Sequence, residues 1–491
     1  MINPSLSYPV QLALRASAIG TACVHAGDGR DPSSGALETP LVLSSAFGFA
    51  SAEEAAAAFR GEGDAYIYGR WGNPTVEALE AKLAALEGTE AACATASGMA
   101  AVSGSILTIC ESGSHIVAPR SMYAETARLF RERLPRLGIT TTFVDASDTA
   151  AYAAAIRPET RVLYIETPSN PTLRVSDIEA IVGLAKGKGL FTIADNTFAT
   201  PFAQTPHALG VDVVVHSMTK SLGGHGDAIG GVVCGRKPDV ARIAETIVKG
   251  FGGVLSPFTA FLIARGIRTF ALRQRQACES AAAIAARLTE HPAIARVHHP
   301  ALPTHPQHAL ACRQMHAFGS LLSFEVKDDN ALARGRRVLE AVRIITHAVS
   351  LGDVRSLLVH PASTTHSTMP PDDRVRADIH DGLLRLSGGL RSLGVGPGSS
   401  LAGQLRVQQF GRVRRTRVAV GSYVDQLVRV SIVSVGQPFG PDVENFGIVK
   451  DDDREHREVR GYRGGNDTIA AQQGRCSCAG AKNRRCRNRR L

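Results

Sequence analysis

Apolar residues recur at helical spacing at Val76, Leu79, Leu83 and Leu86, between Pro74, which suits a helix's first turn, and Gly88, which stops it. A second apolar helix is predicted to open at Ala96-Ser97-Gly98-Met99 and to end near Cys110-Glu111-Ser112-Gly113. Short apolar, β-type runs then alternate with helical stretches. Strands are predicted at 115–118, 140–144, 162–166, 191–194 and 211–216, with helices around 126–134, 150–156, 178–187 and 206–209. Near-continuous apolar strands alternating with helices predict an α/β fold around a large, mostly parallel sheet. The first sixty residues, rich in Gly, Pro and Ser, read as an irregular arm ending in an alanine-rich helix near Ala52–Phe59. Composition changes after the glycine-rich stretch 223–231. Residues 258–288 read as one long helix with a break near Gly266. A run at 318–326, a helix at 331–341 and a run at 344–349 then suggest a smaller α+β domain ending near Leu386. The expected organisation is an arm at 1–60, a large domain at 61–256, a small domain at 257–390 and a separate tail at 391–491.

Composition is that of an ordinary globular protein, 44% hydrophobic and 20% charged, with a net charge of +10. The charge changes meaning once it is located. The last 101 residues carry 19 basic and 9 acidic side chains, and the preceding 390 carry 36 of each. Any anionic partner is therefore a question about the tail alone. Residues 1–20 lack a basic start, and Arg15 interrupts the apolar stretch from Val10 to Leu14, so no secretory signal is expected. Apolar runs are too short for a membrane span, and no membrane partner is expected. Cys23, Cys93, Cys110, Cys234, Cys278 and Cys312 show no CxxC spacing, which suits free thiols in a cytoplasmic protein. Cys476, Cys478 and Cys486 have no accompanying histidine, and no metal site is expected.

Two strand ends carry chemistry. Phe191-Thr-Ile-Ala-Asp195 places a carboxylate where an apolar strand emerges. Val213-Val-Val-His-Ser217-Met-Thr219-Lys220 places two hydroxyls and an amine at the end of the next. Ligands of open α/β sheets bind outside such ends, although a plain Asp195–Lys220 ion pair would satisfy the same residues. Ser97-Gly98-Met99 offers backbone N–H donors at a helix start, and with Ser217 and Thr219 it would make a phosphate cup. An imine-forming lysine, a carboxylate for a ring nitrogen and a phosphate cup together match the needs of pyridoxal 5′-phosphate (PLP).

The chain resembles the Cys/Met-metabolism family of PLP enzymes, which includes cystathionine γ-synthase and γ-lyase, methionine γ-lyase and O-acylhomoserine sulfhydrylase. The matching segments are Tyr68-Gly-Arg70-Trp-Gly-Asn-Pro-Thr75, Ala96-Ser-Gly-Met-Ala100, Glu166-Thr-Pro-Ser-Asn-Pro171, Ala194-Asp-Asn-Thr197, His216-Ser-Met-Thr-Lys220, Ser350-Leu-Gly352, His360-Pro-Ala-Ser-Thr-Thr-His366 and Leu384-Arg-Leu-Ser387. The resemblance implies a fold-type-I PLP transferase architecture, aspartate aminotransferase-like, and a homotetramer built from two dimers. It implies that Lys220 forms the Schiff base and moves the substrate proton, and that Asp195 holds the pyridinium. Gly98, Met99, Ser217 and Thr219 would contact the phosphate, joined by Tyr68 and Arg70 from the neighbouring subunit. Tyr123 would stack on the ring and assist the leaving group, Asn170 would lie near the cofactor hydroxyl, Arg385 would clamp the substrate carboxylate, and Ser350 would supply a backbone contact.

The implied chemistry is γ-elimination or γ-replacement on a sulfur amino acid or homoserine ester. Family members that handle cystathionine usually carry a Glu before Ser-Leu-Gly, where this chain has Val349, which favours a smaller or apolar substituent. Glu125 stands two residues after Tyr123, where methionine γ-lyases typically have Cys. Resemblance ceases after Ser387-Gly-Gly-Leu390. The tail beyond, with 17 arginines and two lysines, is expected to be disordered or to result from a frameshift in a GC-rich gene. Resequencing that finds no alternate frame encoding an acidic helix would rule the frameshift out. The competing reading, a nucleic-acid arm, is disfavoured by few aromatics and no recognised module.

Overall fold

The computed structural model describes residues 6–367 and 369–390. The Arg-rich tail, expected to be disordered or frameshifted, lies outside the described residues.

A seven-stranded sheet forms from β1 (Ala91–Thr95), β2 (His115–Pro119), β3 (Thr140–Val144), β4 (Thr160–Glu166), β5 (Phe191–Asp195), β6 (Val213–Ser217) and β7 (Gly231–Gly235). Their order across the sheet is β1-β7-β6-β5-β4-β2-β3. Strands β2 to β6 pair in parallel, and β7 runs antiparallel to both β6 and β1. Val162 and Tyr164 pack into one apolar cluster and Leu163 and Ile165 into the other, so β4 is buried on both faces. Two-sided burial is why β4 reads as an apolar run without alternation. A second sheet of five strands has the order β10-β11-β12-β9-β8. Its members are β8 (Ile294–His298), β9 (Leu321–Val326), β10 (Thr346–His347), β11 (Leu357–Val359) and β12 (Leu383–Ser387).

Local chemistry explains the boundaries. The helix Pro74–Glu87 starts where the Asn73 side chain accepts from the backbone N–H groups of Thr75 and Val76, at 2.9 and 3.3 Å. It ends at Gly88, whose φ of 72° is the left-handed turn that glycine tolerates best. The Gly98–Ile109 helix is capped by Ser97, which accepts from Ala100 N at 3.2 Å.

Several expectations need correction. The supposedly irregular arm contains the 18-residue helix Tyr8–His25, with Leu12, Ala16, Ile19 and Cys23 buried along one stripe. Arg15, which seemed to interrupt it, donates to the carbonyls of Phe202 and Pro201 at 3.0 and 2.6 Å and anchors the helix. The break expected near Gly266 is present, between the helices Pro257–Ile267 and Phe270–Thr289. Gly266 itself also marks a close crossing, since a Cβ there would meet the Gly223 carbonyl oxygen at 2.3 Å. The helix near 126–134 is Ala124–Arg128 followed by a widened π turn at Leu129–Arg133. The run at 344–349 yields only the two-residue exposed strand β10. The sequence reading missed β1 and β7, whose Ala-, Gly- and Cys-rich runs carry little strand signature.

Candidate active site

The site gathers at the carboxyl ends of β4, β5 and β6, where a parallel sheet opens a crevice. Register places Glu166 beside Asp195 across β4 and β5. The Asp195 carboxylate accepts from Thr197 N at 3.0 Å, and Thr197 Oγ1 accepts from Ser217 N at 2.9 Å. Burial pushes the Asp195 pKa up, while its Thr197 hydrogen bonds and the nearby His216 oppose that rise. Below Asp195, His216 Nε2 lies 2.9 Å from Glu87 Oε2, a buried pair tying β6 to the Pro74–Glu87 helix.

The helix start at Gly98 presses on the end of β6. A Cβ on Gly98 would meet Ser217 Cβ at 2.7 Å, so only glycine lets these two backbones approach so closely. Unsatisfied N–H groups of the Gly98–Ile109 helix thus stand beside Ser217. Met99 Sδ accepts from Thr126 Oγ1 at 3.7 Å. Thr219 Oγ1 and the backbone of Gly230 bond reciprocally, at 3.1 and 3.3 Å.

Lys220 follows at once. Its Nζ donates to Ser350 Oγ at 2.7 Å. Burial first, then Arg385, lowers the amine pKa to about 8. The glycine-rich loop after it is held at its start, where Arg273 donates to the carbonyls of Ser221 and Leu222 at 2.8 and 3.2 Å. Ser350 has a φ of 85°, a conformation costly for any residue but glycine. Its carbonyl accepts from Arg385 at 3.0 Å, and the Asn170 side-chain oxygen accepts from the same guanidinium at 2.8 Å. Phe198 lies under that guanidinium, 5.7 Å from the ring centroid. Arg385 Nε is buried without a partner among the described residues, and burial lowers the guanidinium pKa to about 10. A buried cation with an unused donor suits an incoming carboxylate.

Tyr123 is 43% exposed over this crevice, its N–H donating to Glu166 Oε2 at 2.9 Å. Burial, Glu125 and Glu166 together raise its phenol pKa. Lys220, Ser350, Arg385, Asn170, Glu166 and Tyr123 therefore form one hydrogen-bonded chain, with Asp195, Ser217 and Gly98 at the adjoining strand ends. Tyr68 and Arg70 belong to a different cluster. Arg70 donates to the Lys249 carbonyl and stacks over Tyr68 at 5.4 Å and Trp71 at 5.9 Å. Sequence reasoning passed over Glu166, Thr197 and Phe198. Glu166 carried the same signal as Asp195, an acid closing an apolar run, inside a segment already singled out.

The donor set fits PLP: an amine that deprotonates near neutrality for its aldehyde, a strand-end carboxylate for its ring nitrogen, and helix N–H groups with hydroxyls for its phosphate. Fold and donors together define an enzyme of PLP fold type I. The family model described as "Cys/Met metabolism PLP-dependent enzyme" matches residues 20–394, and the chain belongs to that family. An L-methionine gamma-lyase of Fusobacterium nucleatum subsp. polymorphum is 43% identical over 377 residues, 76% of this chain and 95% of the relative. An O-succinylhomoserine sulfhydrylase of Pseudomonas aeruginosa is 40% identical over 380 residues, 77% of this chain and 93% of the relative. The crystal structure of cystathionine gamma-lyase from Lactobacillus plantarum complexed with L-serine superposes with a TM-score of 0.72 at 37% identity, covering 76% of this chain and 95% of that one. The cofactor is PLP, and the metabolism concerned is that of methionine and cysteine.

Proposed function

We propose that the protein catalyses γ-elimination from a sulfur amino acid, with L-methionine as its first substrate. The observation that carries the proposal is the convergence on Ser350. Its hydroxyl accepts from Lys220 Nζ at 2.7 Å and its carbonyl from Arg385 at 3.0 Å, which sets the proton-moving amine beside the carboxylate clamp. Bound PLP supplies an electron sink conjugated to the substrate α-carbon. Lys220 would anchor it, Asp195 would hold the proton on its ring nitrogen, Gly98, Met99, Ser217 and Thr219 would hold its phosphate, and Asn170 would meet its hydroxyl. Arg385 takes the substrate carboxylate in its fork, oriented by Asn170 and by the Ser350 carbonyl. Lys220 Nζ removes the proton from the substrate's Cα and then one from Cβ, whose electron pair expels the γ substituent. The Tyr123 hydroxyl hands a proton to the departing γ substituent.

In this reading Tyr68 and Arg70 reach the phosphate held by a neighbouring copy, in a cytoplasmic homotetramer with shared sites. Residues 61–256 would form the cofactor-binding domain and 257–390 the small domain. Val349, 61% exposed next to Ser350, brings no charge to meet a distal ammonium, which favours methionine over cystathionine. The sulfhydrylase relative at 40% identity supports a second reading, γ-replacement on a homoserine ester. Purified protein loaded with PLP is expected to show the visible absorbance of the lysine-bound cofactor. Persistence of that absorbance and of turnover in Lys220→Ala would overturn the assignment.

A further inference from the structure

Glu166 closes β4 and is buried, with 4% of its surface exposed, directly beside a second carboxylate, Asp195, on β5. Two neighbouring buried acids repel one another, and burial together with Asp195 pushes the Glu166 pKa well above the carboxylate range. An isosteric neutral side chain would avoid that cost. What the carboxylate provides is two acceptors pointing in different directions. Oε2 takes the backbone N–H of Tyr123 at 2.9 Å, and Oε1 takes that of Asn170 at 3.2 Å. The Asn170 side chain in turn accepts from Arg385 at 2.8 Å. Tyr123 is 43% exposed, so its backbone anchor helps govern where the phenol stands.

We infer that Glu166 is a positioning residue that sets Tyr123 directly, and Arg385 through Asn170, for the reaction; the inference rests on the function proposed above. Glutamine at 166 keeps the shape and one acceptor but turns an amide N–H₂ toward one of the two backbone donors. The backbone N–H that faces the amide is left buried without an acceptor, a loss worth roughly 5- to 150-fold in the step it supports.

The test uses PLP-loaded wild type, Glu166→Gln, Tyr123→Phe and the double variant. The readouts are thermal midpoint, cofactor absorbance, kcat and KM for L-methionine, and the Kd of L-norleucine followed through the cofactor spectrum. Norleucine has methionine's length and carboxylate but no γ leaving group, so it reports the clamp without turnover. The expected result is folded, loaded Glu166→Gln with a norleucine Kd raised about tenfold or more and a lowered kcat. The double variant is expected to lose less than the product of the two single losses, because Glu166 acts through Tyr123. Norleucine binding and kcat within twofold of wild type would overturn the inference, as would strictly multiplicative losses. Glu166→Asp, one methylene too short to span both donors, is expected to show the same losses. Failure of both Glu166 variants to fold and load would reduce Glu166 to a stability residue and overturn the inference too. If wild type turns over no sulfur amino acid or homoserine ester, the proposed function fails instead, and norleucine binding and cofactor absorbance still decide the role of Glu166.

Discussion

Gly98→Ala probes the close approach on which the proposed phosphate cup depends. The added Cβ would lie 2.7 Å from Ser217 Cβ and 3.0 Å from Ser217 Cα, whereas ordinary carbon contacts fall at about 3.5–4.0 Å. The two backbones must therefore part by roughly 1 Å. Ser217 has little room to give. Its N–H is bonded to Thr197 Oγ1 at 2.9 Å, and it pairs with Gly231 of β7. Overpacking of this kind costs about 1–3 kcal/mol. Loss of the same order in phosphate binding corresponds to roughly a 5- to 150-fold higher Kd for PLP. The matched control is Gly183→Ala in the helix Ile178–Lys188, where a new Cβ meets nothing within 4 Å. That change is expected to stabilise by up to about 1 kcal/mol through helix propensity. Thermal unfolding of the cofactor-free proteins and titration with PLP give both quantities. Parental PLP affinity and an unchanged unfolding temperature in Gly98→Ala would refute the reasoning.

Other consequences follow from the same groups. With the Lys220 pKa lowered to about 8, capture of PLP by cofactor-free protein is expected to accelerate as pH rises through about 8; a midpoint in the ordinary lysine range would contradict it. The folded amine titrates below its ordinary value of 10.5, so between about 8 and 10.5 the unfolded chain holds more protons. Stability is therefore expected to gain from Lys220 as pH rises through that window and to gain nothing from it below. Denaturant melts of Lys220→Met against wild type check this, since the variant loses that gain. Arg385→Lys removes the fork bonded to Asn170 and Ser350, and kcat/KM for amino-acid substrates is expected to fall roughly 10- to 150-fold. Val349→Glu places a carboxylate at an exposed position and is expected to shift preference from methionine toward cystathionine by up to about fivefold, as exposed ion pairs allow. An unchanged ratio of kcat/KM values would remove Val349 from the specificity account.

Legibility in the sequence followed burial. Strands β4 and β5 could be placed because two-sided packing makes them mostly apolar runs, the edge strand β3 because its threonines, Phe143 and Val144 favour extended backbone, and the helix Pro74–Glu87 because Asn73, Pro74 and Gly88 punctuate it. The helix Tyr8–His25 was hidden by Arg15, whose role depends on carbonyls nearly 190 residues away. Strand β7 was hidden because its five residues Gly-Val-Val-Cys-Gly matter only once β1 and β6 flank them. At the site, Asp195 and Lys220 announced themselves as polar residues ending apolar strands. Arg385 lies on β12 of the second sheet and Ser350 in the loop between β10 and β11, and no spacing rule brings them to Lys220. Their assignment rested on family resemblance, and the hydrogen bonds of Ser350 to both Lys220 and Arg385 give it a physical basis. Glu166 could have been read by the rule that found Asp195. Its place beside Asp195 exists only once β4 pairs with β5, and that adjacency is absent from the sequence.

The most direct measurement of the central claim is a turnover panel with the PLP-loaded protein. It covers L-methionine, cystathionine, and O-acetyl- and O-succinylhomoserine with sulfide or cysteine. The account predicts that methionine and water yield methanethiol, ammonia and 2-oxobutanoate in equal amounts, faster than cystathionine is cleaved. Formation of homocysteine or cystathionine from a homoserine ester, with methionine untouched, would shift the assignment to γ-replacement. Absence of turnover on every member of the panel would contradict the account.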